Sequence, residues 1–181
     1  MLLPLSLQRG WTVKGRDVVA AFLLADLPEE EWVVLLPPKG FEADFKRIFQ
    51  LKDDEDLVVV KPLYGMIQAC ARFAELRDDS LTGPTMQMVP SRADPALFIH
   101  KDKNGMIDAV CNPHIDDVNM GGVERTVDHL LDEFAKTMPT TGGGEAKWHL
   151  KVDIAFSKDR RDGPSSTLSL CTLGRSSRRR E

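Results

Sequence analysis

A chain of 181 residues with 42% hydrophobic positions is long enough to bury one core and short for two domains. Its formal net charge of -4 excludes the overall basic balance of a nucleic-acid binder, so any phosphate contact has to be local. Cys70, Cys111 and Cys171 are an odd, widely spaced set without a CxxC pair, which argues against a disulfide framework or a zinc ribbon and points to reduced thiols inside a cell.

The opening MLLPLSL is apolar, but it is too short for the core of a signal peptide, contains Pro4 and lacks a basic flank. Nothing later approaches the roughly 18 apolar residues of a membrane span, so a cytoplasmic or nuclear protein without membrane contact is expected. Residues 11–22 and 32–36 read as two short strands around a turn marked by Pro28 and Glu29-Glu30-Glu31. Residues 42–56, mixed in charge and ending in Asp53-Asp54-Glu55-Asp56, read as a solvated connection. A short β-branched run covers 57–60. After Pro62, the spacing of Leu63, Met66, Ile67, Cys70, Ala71 and Ala74 predicts a helix over 64–79.

Apolar runs at 96–99 and 106–111 bracket Lys103-Asn104-Gly105, a sequence suited to the positive φ angles of a tight turn, and predict a hairpin that delivers the chain to Asp116-Asp117. Beyond Gly121-Gly122, Val123, Val127, Leu130, Leu131, Phe134 and Met138 mark one face of an amphipathic helix. Trp148, Leu150, Val152, Ile154 and Phe156 alternate with mostly polar residues and predict a half-buried strand over 146–156. From 174 onward, the arginine run 178–180 included, apolar periodicity is lost, and a divergent, disordered basic tail is expected over 158–181.

Three Asp-Asp pairs occur. Asp53-Asp54 lies in a charge run and Asp78-Asp79 at a polar helix end, where carboxylates are ordinarily solvated. Asp116-Asp117 instead follows a predicted hairpin strand, and a carboxylate pair on a hairpin tip can bind hard cations when a third acid comes from elsewhere. The segment RDVVAAFLLADLPEEEWVVLLPPKGF carries an aspartate, an aromatic five residues later and a Pro-Gly-Phe-like turn. KPLYGMIQACARF carries Leu-Tyr-Gly followed by Gln-Ala, ADPALFIH precedes the hairpin, and IDDVNMGG holds the aspartate pair. In this order, from Gly10 to about Ile154, the motifs resemble the reverse transcriptase of copia-type (Pseudoviridae-like) LTR retrotransposons.

The resemblance implies an α+β fold: a polymerase palm-like antiparallel sheet flanked by helices over residues 1–157, lacking most of the fingers and the thumb. It implies RNA-directed DNA polymerase activity by two-metal nucleotidyl transfer. Asp17, Asp116 and Asp117 would be catalytic and would ligate two Mg²⁺ ions, with Mn²⁺ as the alternative, and the Val18 carbonyl would complete one shell. Phe22 would be the steric gate against a ribose 2′-hydroxyl, and Gln68 would contact the incoming nucleotide or template. The implied partners are an RNA/DNA template-primer, a dNTP and other segments of a Pol polyprotein.

Other readings stand beside these. Phe22 also reads as a core aromatic, Gln68 as an exposed helix residue, and Cys111, His114 and Asp116 as zinc donors that lack a second ligand pair. The chain departs from the family pattern at His114, where an aromatic is usual, and at Ile67 and Cys70 around Gln68. Asn112 and Pro113 sit where apolar, ladder-bonded residues are expected, which predicts a damaged strand, and Asn119 interrupts the following apolar run. A catalytically inactive remnant, or a domesticated palm serving as an interaction module, is therefore the alternative function. On either reading, the chain alone is expected to show little polymerase activity.

Overall fold

The structure is a computed structural model and describes residues 2–146, 148–149, 152–157 and 167–170. Helix α1, Leu2–Arg9, buries Leu2 and Ser6; its Pro4 falls in the first turn, where a missing N–H forfeits no intrahelical bond. Strand β1, Thr12–Val18, is followed by a short helix α2, Ala21–Leu24, and a 3-10 turn, Glu29–Glu31. Strand β2, Val33–Leu35, helix α3, Glu42–Phe49, and strand β3, Leu57–Val59, lead to helix α4, Ala69–Thr82. Strands β4, Val89–Pro90, β5, Phe98–Lys101, β6, Ile107–His114, and β7, Asp117–Gly122, precede helix α5, Glu124–Thr137. Strands β8, Thr140–Glu145, β9, Trp148–His149, β10, Val152–Ser157, and β11, Thr167–Leu170, complete the order.

The chain divides into two compact units, one made of Met1–Val19 with Asp78–Glu181 and the other of Ala20–Arg77. In the first, six strands form one sheet in the order β4-β5-β6-β7-β1-β8, and every pairing is antiparallel. This is an α+β architecture with a helix on each face. Alternation assigns Val13, Gly15 and Asp17 to one face of β1, and Lys14, Arg16 and Val18 to the other. On the first face, α1 packs so closely on Gly121 that a Cβ there would meet the Ser6 hydroxyl and lie 3.0 Å from Leu2 Cδ1. Leu2, Val13, Leu97, Val110 and Ala146 form the core on that side.

On the opposite face, α5 buries Val127, Leu130, Leu131 and Phe134, while Lys14 pairs with Asp128 at 2.7 Å and Arg16 with Asp132 at 2.8 Å. The start of α5 is fixed from the hairpin: the Val123 amide donates to the Asp108 carbonyl at 2.8 Å, and the Thr126 hydroxyl donates to Asp108 Oδ2 at 3.0 Å. His100 Nδ1 lies 2.6 Å from Asp108 Oδ1. The β5–β6 turn forms at the Asn104-Gly105 sequence, with Gly105 at φ 78° and Asp102 Oδ1 accepting from the amides of Asn104 and Met106.

Several expectations are corrected. Pro113 does not damage its strand. The β5 ladder stops at Phe98↔Cys111, so Pro113 has a neighbour only on the β7 side, as the partner of Val118. That pair lies next to His114↔Asp117, which closes a two-residue loop, and antiparallel alternation then turns the proline nitrogen away from β7. The donor that proline lacks is the one with no strand to receive it. The helix expected over 64–79 begins at Ala69 because Gly65, at φ 97°, and the turns after it break the run. The 42–56 connection contains α3, which buries no residue and is held by an Asp44–Arg47 pair and a Phe45–Phe49 contact. Strand β2 pairs with β3 rather than with the strand at 12–18.

The single strand expected over 146–156 folds back, with β9 antiparallel to β10, because period-two alternation carries no signal of a reversal. Within the expected tail, Thr167–Leu170 pairs with β10; the rest of 158–181 lies outside the described residues. The gapless sheet makes a testable demand at Gly122, where a Cβ would collide with the Asp108 carbonyl oxygen and approach Ala109 Cα to 2.7 Å. Gly122→Ala should lower stability by about 1 to 3 kcal/mol in urea unfolding. Gly144→Ala in the same edge-to-edge sheet, where a Cβ meets nothing within 4 Å, should stay within about 0.5 kcal/mol of the parent.

Candidate active site

The antiparallel register of β1 and β7 sets Asp17 directly opposite Asp117. Asp116 joins them from the loop, and its carbonyl oxygen accepts the Val18 amide at 2.8 Å, so the loop is bonded to β1 as well as to its own hairpin. Ile115 takes the left-handed conformation, φ 52°, at the first loop position. A β-branched side chain is disfavoured there and glycine is the usual choice, so the tip carries local strain beside Asp116.

Register also sorts the surrounding face into three rows. Asp17, Asp117 and His114 form the outer row, Gly15, Asn119 and Asn112 the middle one, and Val13, Gly121 and Val110 the row under α1. The face therefore grades from carboxylate through amide to hydrocarbon along the strands. Asp17 is exposed, while Asp116 and Asp117 are half-buried. Asn119 is 1% exposed, and its Nδ2 donates to Asp117 Oδ1 at 2.9 Å.

Electrostatics follow from this sorting. Lys14 and Arg16 precede Asp17 on the same strand but point to the α5 face, where Asp128, Glu124 and Asp132 take their charge. The hydrogen bond from Lys14 to Asp128 holds that ammonium above its usual range. Among the described residues, no lysine or arginine pairs with Asp17, Asp116 or Asp117. Loss of solvation and then the neighbouring Asp116 charge push the Asp17 carboxyl up. Burial pushes Asp117 up, the Asn119 hydrogen bond pulls it back, Asp17 and Asp116 raise it again, and His114 lowers it.

All donors of the three aspartates are hard oxygens, the ligand type that suits Mg²⁺ or Mn²⁺. Backbone register brings the residues together; their side chains are not drawn into a cage, and among the described residues no three or more His, Cys, Asp or Glu groups are gathered tightly enough to hold an ion. The donor set fits a divalent cation in kind, and the mutual repulsion of the carboxylates is what a cation would relieve. Cys111 is buried on the face opposite Asp117, so the Cys111, His114, Asp116 zinc alternative gains no support.

Phe22 and Gln68 belong to the second unit. Phe22 is buried against Tyr64 and Phe73, with ring centroids 4.7 and 6.3 Å away. Gln68 lies in the turn before α4, half-buried, and its carbonyl accepts the Arg72 amide at 3.0 Å. In that unit Arg72 makes a two-pronged ion pair with Glu31 and a third contact to Glu75, which together raise its affinity for its proton. Sequence reading missed the pairing of Asn119 with Gly15, because a polar interruption in one strand and a glycine in another acquire meaning only through register.

Compared with protein-family models, curated proteins and solved structures, the chain matches none. Among the described residues no helix is long and apolar enough to cross a membrane.

Because folding raises the carboxyl pKa of both Asp17 and Asp117, their ionised forms lower native stability at neutral pH. The sign is fixed: the penalty is full above the folded pKa and disappears as pH falls below the unfolded value of about 3.9. Asp17→Asn and Asp117→Asn should therefore raise the melting temperature at pH 7, with the more buried Asp117 giving the larger rise. The gain should shrink on acidification through the carboxylate range, as thermal melts at a series of pH values would record.

Proposed function

We propose that this chain is the palm of a copia-type RNA-directed DNA polymerase. The observation that carries the reading is the Asp17↔Asp117 pairing on neighbouring strands, with Asp116 bonded back to Val18. Motif order alone required residues about a hundred positions apart to meet in this way.

In this reading Asp17 and Asp116 hold two Mg²⁺ ions, with Asp117 assisting, on the exposed end of the face. Bound there, the ions supply activation of a primer 3′-hydroxyl and neutralisation of the triphosphate. The chain's own part is to concentrate negative charge at one edge while Lys14 and Arg16 are committed to the other face, leaving the carboxylates for cations. The substrates are a template-primer with an RNA template and a dNTP, and other Pol polyprotein segments are the natural partners.

The second reading, an interaction module without catalysis, is favoured by the second unit: Leu36 is 75%, Tyr64 69% and Ile67 98% exposed. Metal linkage and turnover separate the two. Mg²⁺ at ten times its dissociation constant should add about 1.4 kcal/mol of stability, a rise of ~3 to 6 °C in melting temperature. Asp17→Asn and Asp116→Asn should abolish the increment. A rise with Mg²⁺ that depends on Asp17 and Asp116 supports the polymerase even where the chain alone extends little, and Asp116-dependent extension of a primer on RNA adds to it; a protein that melts identically with and without Mg²⁺ and extends nothing is the module.

The gate assignment of Phe22 has its own test. Phe22→Ala should cost roughly 3 to 5 kcal/mol, as expected for a buried aromatic. Relaxed discrimination against ribonucleotides in Phe22→Val would add the gate role, and unchanged selectivity would leave Phe22 as packing alone.

A further inference from the structure

Asn119 is a polar side chain in the most enclosed part of β7, with Val118 and Met120 buried on either side of it. A buried amide is unfavourable unless its hydrogen bonds are made, and a leucine or valine would suit a central strand better. Two observations account for it. Its Nδ2 donates to Asp117 Oδ1 at 2.9 Å along the same face of the strand. Its register partner on β1 is Gly15, where a Cβ would collide with Asn119 Oδ1 and lie 3.4 Å from its Cγ. The amide thus lies across β1 in space that any other residue at position 15 would fill. Asparagine and glycine form one device spread over two strands.

We propose that Asn119, seated over Gly15, is a positioning residue that holds one oxygen of the Asp117 carboxylate and so sets its rotamer on the face it shares with Asp17; its purpose rests on the polymerase reading, its geometry on the β1–β7 register. An aspartate side chain exchanges between staggered rotamers about its Cα–Cβ bond unless a partner holds it in one. A donor held rigidly against one oxygen stops that exchange and leaves the second oxygen for a cation. Hydrogen bonds of this outer kind typically carry ten- to a hundredfold in metal affinity. Gly15 makes the donor rigid: the floor beneath the amide is backbone, which cannot move aside.

Two variants disable the device from opposite strands. Asn119→Leu removes the donor and keeps an apolar strand, while Gly15→Ala leaves Asn119 in the sequence and expels its amide. Asp117 side-chain couplings by NMR should report one rotamer in the parent and averaging in both variants. Mn²⁺, used as the probe cation, should bind about tenfold more weakly to each, whereas Asn119→Leu should melt no lower than the parent. In an Asp117→Asn background, Asn119→Leu should cause no further loss of Mn²⁺ affinity.

A single Asp117 rotamer in folded Asn119→Leu, or Mn²⁺ affinity equal to that of the parent, would overturn the proposal. Should Asn119→Leu fail to fold, Gly15→Ala decides by the same two measurements. A parent that binds no Mn²⁺ would count against the polymerase reading, and the couplings alone would then decide whether Asn119 positions Asp117.

Discussion

The alignment of β1 against β7 is the constraint on which the rest of the molecule depends. Side chains alternate along a strand, so a slip of one residue would carry Asp17, Gly15 and Val13 to the α5 face and bring Lys14 and Arg16 under α1. Register is guarded on both faces by pairs that fit only one alignment. On one side Gly121 admits Ser6 and Leu2, and Gly15 admits Asn119; on the other, Lys14 and Arg16 reach the acids of α5. The ion pairs individually add little, because Asp128 and Asp132 stay well solvated. Their value is in rejecting the wrong face.

Stability and the candidate chemistry are separated in space. Toward α1 and α5 the sheet is lined by hydrocarbon, with Val13, Val118, Met120 and Phe134 fully buried. Toward the hairpin tip the same strands carry like charges that raise one another's proton affinity and a β-branched residue in a left-handed conformation. Both features lower stability locally and persist because the surrounding ladder over-determines them. A cost concentrated at one end of the strands, which the Asn119 hydrogen bond and His114 offset only in part and only for Asp117, is the usual sign of a site shaped by something other than folding.

Much of this was legible in the sequence. The β5–β6 hairpin was written in Asn104-Gly105, α5 in the spacing of Val127, Leu130, Leu131 and Phe134, and the meeting of Asp17 with Asp116 and Asp117 in the order of the motifs. Three things were not. Helix α3 does space Phe45, Ile48 and Phe49 at helical intervals, but the charges around them read as a solvated connection, and the helix buries none of its residues. Strand β8 is the glycine-rich TTGGGE, in which Gly142 and Gly143 take positive φ angles and the pairing to β1 supplies all the order. The harmlessness of Pro113 depends on where the β5 ladder ends, a property of the neighbouring strand and not of the proline. For β8 and Pro113 the neighbouring strands assigned the conformation where local preference was silent, whereas in α3 the local signal was present and outweighed by charge.

The position of β1 has a consequence for how the protein is made. It is synthesised about a hundred residues ahead of β7 and β8, the two strands that flank it in the sheet. At ~5 to 20 residues per second, that interval is on the order of 5 to 20 seconds, during which β1 has two bare edges. A nascent strand in that condition is open to pairing with its own copies on neighbouring ribosomes. Lys14 and Arg16, whose charge is later absorbed by α5, are unpartnered throughout that interval and repel a second copy of themselves in any in-register stack. The same two side chains that set the face of the strand in the folded protein thus protect it before there is a sheet to join.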